Sequence, residues 1–234
     1  MPARANTTGG DPLVGSRRTA KVWRMKGRHI VVTGGRGGLG RSVVELLEAR
    51  GGIVHIADRP DVALDNEASA TAFYAGLPAL WASIHLVGGF AMAPIAETSL
   101  ADFEAQWRLN TVTCFLSCRE AVRAIRKTGG GGRIVNVAAR PVIAPVGGMS
   151  AYLTAKAGVA ALTQGLAAEV LDDNILVNAV LPSIIDTPAN RASMPKANFD
   201  KWPKPGQLAE TIAFLASPEN ALTSGTLVPV FGHG

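Results

Sequence analysis

An α/β domain with a doubly wound, mostly parallel sheet of seven strands and helices on both faces is predicted from three observations. Short β-branched runs alternate with longer stretches of helical periodicity from Arg28 onwards, the pattern of repeated strand–helix units. A glycine-rich turn follows the first apolar run directly. No internal repeat divides the chain, and 234 residues suit one such domain, because sheets covered by helices grow past average domain size without splitting.

The strands are read at residues 29–33, 53–57, 63–65, 83–87, 133–137, 176–180 and 227–230, where β-branched and apolar residues cluster between turn signals. Helices are read at 40–50, 67–75, 100–128, 152–171 and 207–216 from apolar residues at helical spacing. Four glycines, 129–132, stop the long middle helix and turn the chain into the next strand. The stretch between Asp58 and His85 is short, so 62–66 follow the second strand almost directly and one helix of the usual crossover is expected to be absent.

Apolar residues make up 47% of the chain, with 26 Gly and 14 Pro, a globular composition rich in tight turns. The net charge is +5, but Arg4, Arg17, Arg18, Lys21, Arg24 and Lys26 face only Asp11 in the first 26 residues, so the remainder is near neutral. A basic tail beside a neutral body is not a basic groove, which argues against nucleic acid as a partner. Residues 1–25 lack helical or strand period and are expected to form a disordered basic tail, with 26–234 as one domain and Met25 as an alternative start of translation. No run reaches the roughly 18 to 20 apolar residues of a membrane span, and no apolar secretory stretch opens the chain. A cytoplasmic protein without membrane attachment is the expectation. Cys114 and Cys118 are the only cysteines, one helical turn apart, and lack a His or Cys partner at zinc-like spacing, so core packing rather than a metal is expected.

The chemistry begins at Thr33-Gly34-Gly35-Arg36-Gly37-Gly38-Leu39-Gly40, between an apolar strand and a helix. Glycines there allow a tight turn and let backbone N–H groups and the helix N-terminus approach a pyrophosphate, the fingerprint of a Rossmann-type dinucleotide site. Asp58 ends the next strand about 20 residues on, where a carboxylate accepts hydrogen bonds from the adenosine ribose; its alternative is a solvated turn residue. Asp58 favours NAD(H), while Arg36 and Arg59 keep NADP(H) open. Tyr152 and Lys156 share one face at the start of a helix. A phenol titrates near 10 and becomes a useful acid/base only when its anion is stabilised, which a nearby ammonium does.

Together these motifs resemble the short-chain dehydrogenase/reductase family over residues 26–234: the glycine turn, Tyr152-x-x-x-Lys156, Asn110, and Asn178-Ala-Val-Leu-Pro182 with Thr187. The resemblance implies that Asn110 holds a water linking Lys156 to solvent, that Thr187 contacts the nicotinamide carboxamide, and that Pro182 and Ile184 line the ring pocket. It implies a small-molecule substrate and a homodimer or homotetramer built on the helices at 100–128 and 152–171. Two departures stand out. Ala139 occupies the place of the serine thirteen residues before the tyrosine, removing a donor to the substrate oxygen, for which Ser150 is a weak replacement. The usual Asn-Asn-Ala-Gly reads His85-Leu86-Val87-Gly88, with Val87 and Gly88 left at the cofactor.

Both departures, and the segment from Leu181 to Trp202, resemble the dihydropteridine reductase branch. Met194 and Trp202 are then expected at the substrate, in a long apolar loop placed to cover the nicotinamide. Three readings stay open: a hydride-transferring oxidoreductase of carbonyl or alcohol substrates with Tyr152 as acid/base, reduction of quinonoid dihydropterin, and a non-catalytic dinucleotide sensor or scaffold.

Overall fold

A computed structural model describes residues 25–233. The expectations for the tail fall outside these, except that Met25 is fully buried against the sheet.

Among the described residues the strands are β1 (His29–Thr33), β2 (Ile53–Ala57), β3 (Ala82–His85), β4 (Gly132–Val137), β5 (Ile175–Pro182) and β6 (Leu227–Val230). They form one sheet in the order β2-β1-β3-β4-β5-β6, with all neighbours parallel. The helices are α1 (Gly38–Ala49), α2 (Glu67–Ala75), α3 (Leu100–Trp107), α4 (Thr113–Thr128), α5 (Ser150–Glu169), α6 (Pro188–Ser193) and α7 (Pro205–Ala216).

The sheet has six strands, not seven. Residues 63–65 are irregular chain and turn rather than a strand, and the reason is length. Only the stretch from Asp58 to Asn66 separates β2 from α2, whereas a parallel neighbour needs a crossover of roughly a dozen residues or more. The sheet is therefore the doubly wound order without its outermost strand. The helix expected over 100–128 is also divided: a π-helical turn, Arg108–Val112, joins α3 to α4. Gly129, at φ +68°, closes α4 in the left-handed conformation that a side chain disfavours.

Alternation along the strands builds two apolar layers. Ile30, Val32, Ile84 and Val135 face α1 and α7, whereas Val31, Ile134 and Val177 face α2, α4 and α5. Each fully buried aliphatic side chain contributes on the order of 2 kcal/mol. The chain reverses its winding between β1 and β3, so a crevice opens at the carboxyl ends of these neighbours, where such sheets bind ligands.

The tightest packing lies at that crevice. A β-carbon on Gly40 would stand 2.1 Å from the Gly34 carbonyl oxygen, so α1 reaches β1 only because residue 40 has no side chain. Gly40→Ala is expected to push α1 off the strand, lowering stability by several kcal/mol and abolishing dinucleotide binding; an unchanged urea midpoint with unchanged NADH affinity would contradict this packing.

Candidate active site

Residues separated by more than a hundred positions meet at the carboxyl ends of β1, β3, β4 and β5. The Thr33 hydroxyl accepts from the amides of Leu86 (3.1 Å) and Val87 (3.4 Å), clamping the ends of β1 and β3 together. Gly37 caps α1 without any side-chain hydrogen bond, leaving the first-turn amides from Gly38, Leu39 and Gly40 for an anion. Thr187 caps α6, accepting from the Asn190 amide. It also leans over Gly38, with its methyl 2.9 Å from where a β-carbon there would stand. The turn and the loop after β5 thus bracket a single space, which fits a dinucleotide pyrophosphate.

At the end of β2, Asp58 accepts from the backbone amides of Arg59 (2.9 Å) and Arg36 (3.2 Å). Both arginines are engaged by acids that were not singled out in the sequence. Arg36 pairs with Asp61 and donates to the Arg59 carbonyl, and Arg59 forks onto Asp65 at 2.7 and 2.9 Å. The Arg59 guanidinium holds the Asp65 carboxyl below its usual range.

Tyr152 and Lys156 lie on the first two turns of α5. The Lys156 ammonium is 6% exposed and donates to the Val137 carbonyl at the end of β4 (2.9 Å). A β-carbon on Gly88 would stand 3.1 Å from this nitrogen and 2.7 Å from Asn110 Oδ1, so glycine at 88 makes room for both. Asn110 lies in the π-helical turn, a distortion common at functional sites. Its side chain accepts from the Gly89 amide and donates to the carbonyls of Gly89 and Gln106. The side-chain amide therefore holds the Gly88–Gly89 backbone in place.

Burial acts on both members of the pair in the direction of neutrality. It pushes the Tyr152 phenol up to about 12 and the Lys156 ammonium down to about 8. Phe90 packs edge-on against the Tyr152 ring, centroids 4.9 Å apart. Sequence reasoning missed Phe90, because one aromatic in a loop carries no periodicity; its place two residues beyond Gly88 was the only signal.

Ala139 is buried at the end of β4 and Ser150 is exposed at the start of α5. Pro182 is buried and Ile184 exposed beside the crevice. The segment 184–204 is not one loop but carries α6 and a 3-10 turn, Phe199–Lys201. Asp186, 6% exposed at its side chain, ties it together by accepting from both Arg191 and Lys204. These bonds hold its carboxyl far below the usual range. Trp202, 7% exposed, packs on Phe199 within the segment, and Met194 is half-buried.

A parallel, doubly wound sheet with a glycine turn and a Tyr–Lys pair at its crevice has the arrangement of a short-chain oxidoreductase. The family model described as enoyl-(acyl carrier protein) reductase matches residues 16–232, and the chain belongs to the short-chain dehydrogenase/reductase family. It is 28% identical to the 3-beta-hydroxysteroid dehydrogenase of Comamonas testosteroni, over 87% of this chain and 94% of that one. It is 31% identical to the cis-4-hydroxycyclohexanecarboxylate dehydrogenase of Sinomonas cyclohexanicum, over 88% and 95%. The fold matches a short-chain type dehydrogenase/reductase from Mycobacterium ulcerans with a TM-score of 0.83 at 23% identity, covering 90% of each chain. The protein is thus an oxidoreductase of a family that uses NAD(P)(H) on small molecules.

Two outcomes follow from the site. The folded protein releases the Lys156 proton near 8, the unfolded chain near 10.5. The unfolded state therefore binds more protons in between, and Lys156 makes stability rise with pH across that window, by about 3 kcal/mol in all. Tyr152 acts oppositely above 10, where the folded state keeps its proton longer. Urea titrations should show wild type gaining about this much relative to Lys156→Met between neutral pH and about 10.5; parallel curves would contradict the burial argument. Separately, Asp186→Asn should loosen 184–204, raising KM several-fold and speeding proteolysis there, whereas an unaltered digestion rate would exclude a bracing role.

Proposed function

We propose that this chain is an NAD(H)-linked oxidoreductase that transfers hydride between nicotinamide and a small carbonyl or alcohol substrate, with Tyr152 as acid/base. The observation that carries the reading is the convergence of Tyr152 and Lys156 with the side-chain-free Gly88 and the uncapped start of α1 at one crevice. A bound nicotinamide supplies or accepts the hydride. The first-turn amides of α1, with Thr33, Gly34 and Val87 alongside, hold the pyrophosphate side, and Pro182, Ile184 and Thr187 border the ring.

Tyr152 gives its proton to the developing alkoxide in reduction and takes it back in oxidation. Lys156 as ammonium stabilises the phenolate left behind, and its proton is renewed along the Asn110 turn. NAD(H) is the favoured cofactor, because Asp58 would repel a 2′-phosphate while Arg36 and Arg59 are neutralised by Asp61 and Asp65; NADP(H) requires those pairs to open. Trp107, Leu109 and Phe115, apolar yet exposed on α3, the π-helical turn and α4, support assembly as a homodimer or homotetramer. No helix among the described residues is long and apolar enough to cross a membrane, and we place the protein in the cytoplasm.

A second reading, reduction of a quinonoid dihydropterin, is favoured by Ala139 together with Phe90. A conjugated imine-like substrate has less need of a hydroxyl aimed at a carbonyl oxygen, and Phe90 offers an aromatic surface beside Tyr152. A non-catalytic sensor would have no use for the Tyr–Lys arrangement.

NADH and NADPH oxidation against quinonoid dihydropterin, quinones, ketones and aldehydes tests these together. Tyr152→Phe should keep NADH affinity while lowering kcat by roughly 10²- to 10⁴-fold. Equal turnover by the variant would sink the catalytic assignment, and NADH binding without turnover of anything would favour the sensor. Preferred use of NADPH would reverse the cofactor assignment.

A further inference from the structure

Beneath the crevice, on the sheet face covered by α2, α4 and α5, lies a cluster of buried polar side chains that hydride transfer does not use. His85 and Asn136 are register partners on β3 and β4, so both point toward α4. There Cys114 and Cys118 stand one helical turn apart, with both thiols free and buried. His85 Nδ1 lies 3.5 Å from Cys118 Sγ and 2.7 Å from Asn136 Oδ1, and Cys118 Sγ lies 3.5 Å from Asn136 Oδ1. The ligating atoms of His85, Cys114 and Cys118 all fall within 4.8 Å of one another.

We propose that His85, Cys114 and Cys118, completed by Asn136 Oδ1, form a closed site for one zinc-class divalent ion. Ideal tetrahedral zinc bonds place a thiolate and an imidazole nitrogen about 3.6 Å apart, matching the His85–Cys118 separation, whereas an imidazole nitrogen and an oxygen ligand stand about 3.4 Å apart, so the 2.7 Å His85–Asn136 hydrogen bond opens as the ion enters. The donor set of two thiolates, one imidazole and one amide oxygen suits a borderline-soft ion. Charge also closes: the dication replaces two thiol protons, which leave to solvent, so the buried site stays neutral and no unpaired charge enters the core.

The surrounding groups fix the orientation. Thr163 donates to the Val159 carbonyl and accepts from Asn136 Nδ2, which turns Asn136 Oδ1 toward the cluster. His85 Nε2 lies 2.8 Å from Ser83 Oγ, which lies 2.8 Å from the Tyr74 hydroxyl, itself within hydrogen-bonding reach of Ser117. With the imidazole proton on Nε2, this chain donates outward to Ser117, and Nδ1 keeps its lone pair for the ion. Without an ion, the same chain runs inward and Nδ1–H donates to Asn136. The competing state is therefore an Nδ1-protonated imidazole bonded to Asn136, with both thiols protonated.

Spacing along the sequence does not reveal this cluster, because its histidine comes from β3, far upstream of the cysteines.

The test uses the full, untagged chain. Metal content is measured by mass spectrometry after purification and after refolding with one equivalent of zinc, and cobalt is then refolded into the site. Because these are the chain's only two cysteines, thiolate-to-cobalt charge transfer reports this site alone, without a variant that must fold. The expected result is about one zinc per chain, two protons released per ion bound, and a near-ultraviolet charge-transfer band absent from Cys114→Ser/Cys118→Ser. No retained zinc after refolding, or cobalt bound through imidazole only, as the half-buried His29–His55 pair would give, overturns the proposal. Turnover is not a readout, so failure of the oxidoreductase reading would leave this result unaffected.

Discussion

The close approach of α1 to β1 is the constraint on which the rest of the site depends. The Gly34 carbonyl occupies the volume that a side chain at residue 40 would need, and the Thr33 hydroxyl clamps the backbone at 86 and 87 from the opposite side. Together they bring the free amides of α1 to the level where β3, β4 and β5 end. Without that approach the Tyr152–Lys156 pair would face a crevice with no anion site beside it. The reaction geometry is thus set by packing first and by polar chemistry second.

The two faces of the sheet are built differently. The layer under α1 and α7 is mostly apolar, with Arg133 and Asn178 as its buried polar strand residues, whereas the opposite face buries Ser83, His85 and Asn136 in neighbouring positions. Each buried polar group left without a partner would cost a few kcal/mol, so this face persists only because Tyr74, Thr163, Cys118 and their neighbours form a connected chain. Such a chain specifies how α2, α4 and α5 sit on the strands more sharply than apolar contact could. It also lies directly below Lys156, whose neutral-leaning burial belongs to the same low-dielectric layer.

Much of this was legible in the sequence, for local reasons. The glycine turn lies between β1 and α1, Asp58 directly follows β2, and Tyr152 and Lys156 share the start of α5, positions that local pattern predicts because each depends on a strand or helix a few residues away. Gly88 and Asn110 were found through the family pattern. What stayed hidden came from long-range pairing: Asp61 and Asp65 neutralising two arginines, Lys204 reaching Asp186 across the loop, and His85 meeting two cysteines on α4. The seventh strand failed for a different reason. Residues 63–65 are Ala-Leu-Asp, without a β-branched side chain and with two residue types depleted in strands, and the chain between β2 and α2 is too short to lay them in parallel register.

Helix α4 is where fold and chemistry meet. Its start is displaced by the π-helical turn that carries Asn110 to the Gly89 backbone, and a regular helix would rotate that side chain away by one extra residue. One turn on, Cys114 and then Cys118 face the strands, and Glu120, buried against α2, accepts from Arg119, Arg123 and Thr71. Any shift of α4 along its axis would therefore disturb the Gly88–Gly89 backbone at the crevice and the buried polar chain together. The Asn110 bonds to Gly89 and Gln106 pass such a shift to the backbone beside Gly88, so the placement of the crevice is inherited from how α4 is fastened to β3 and β4.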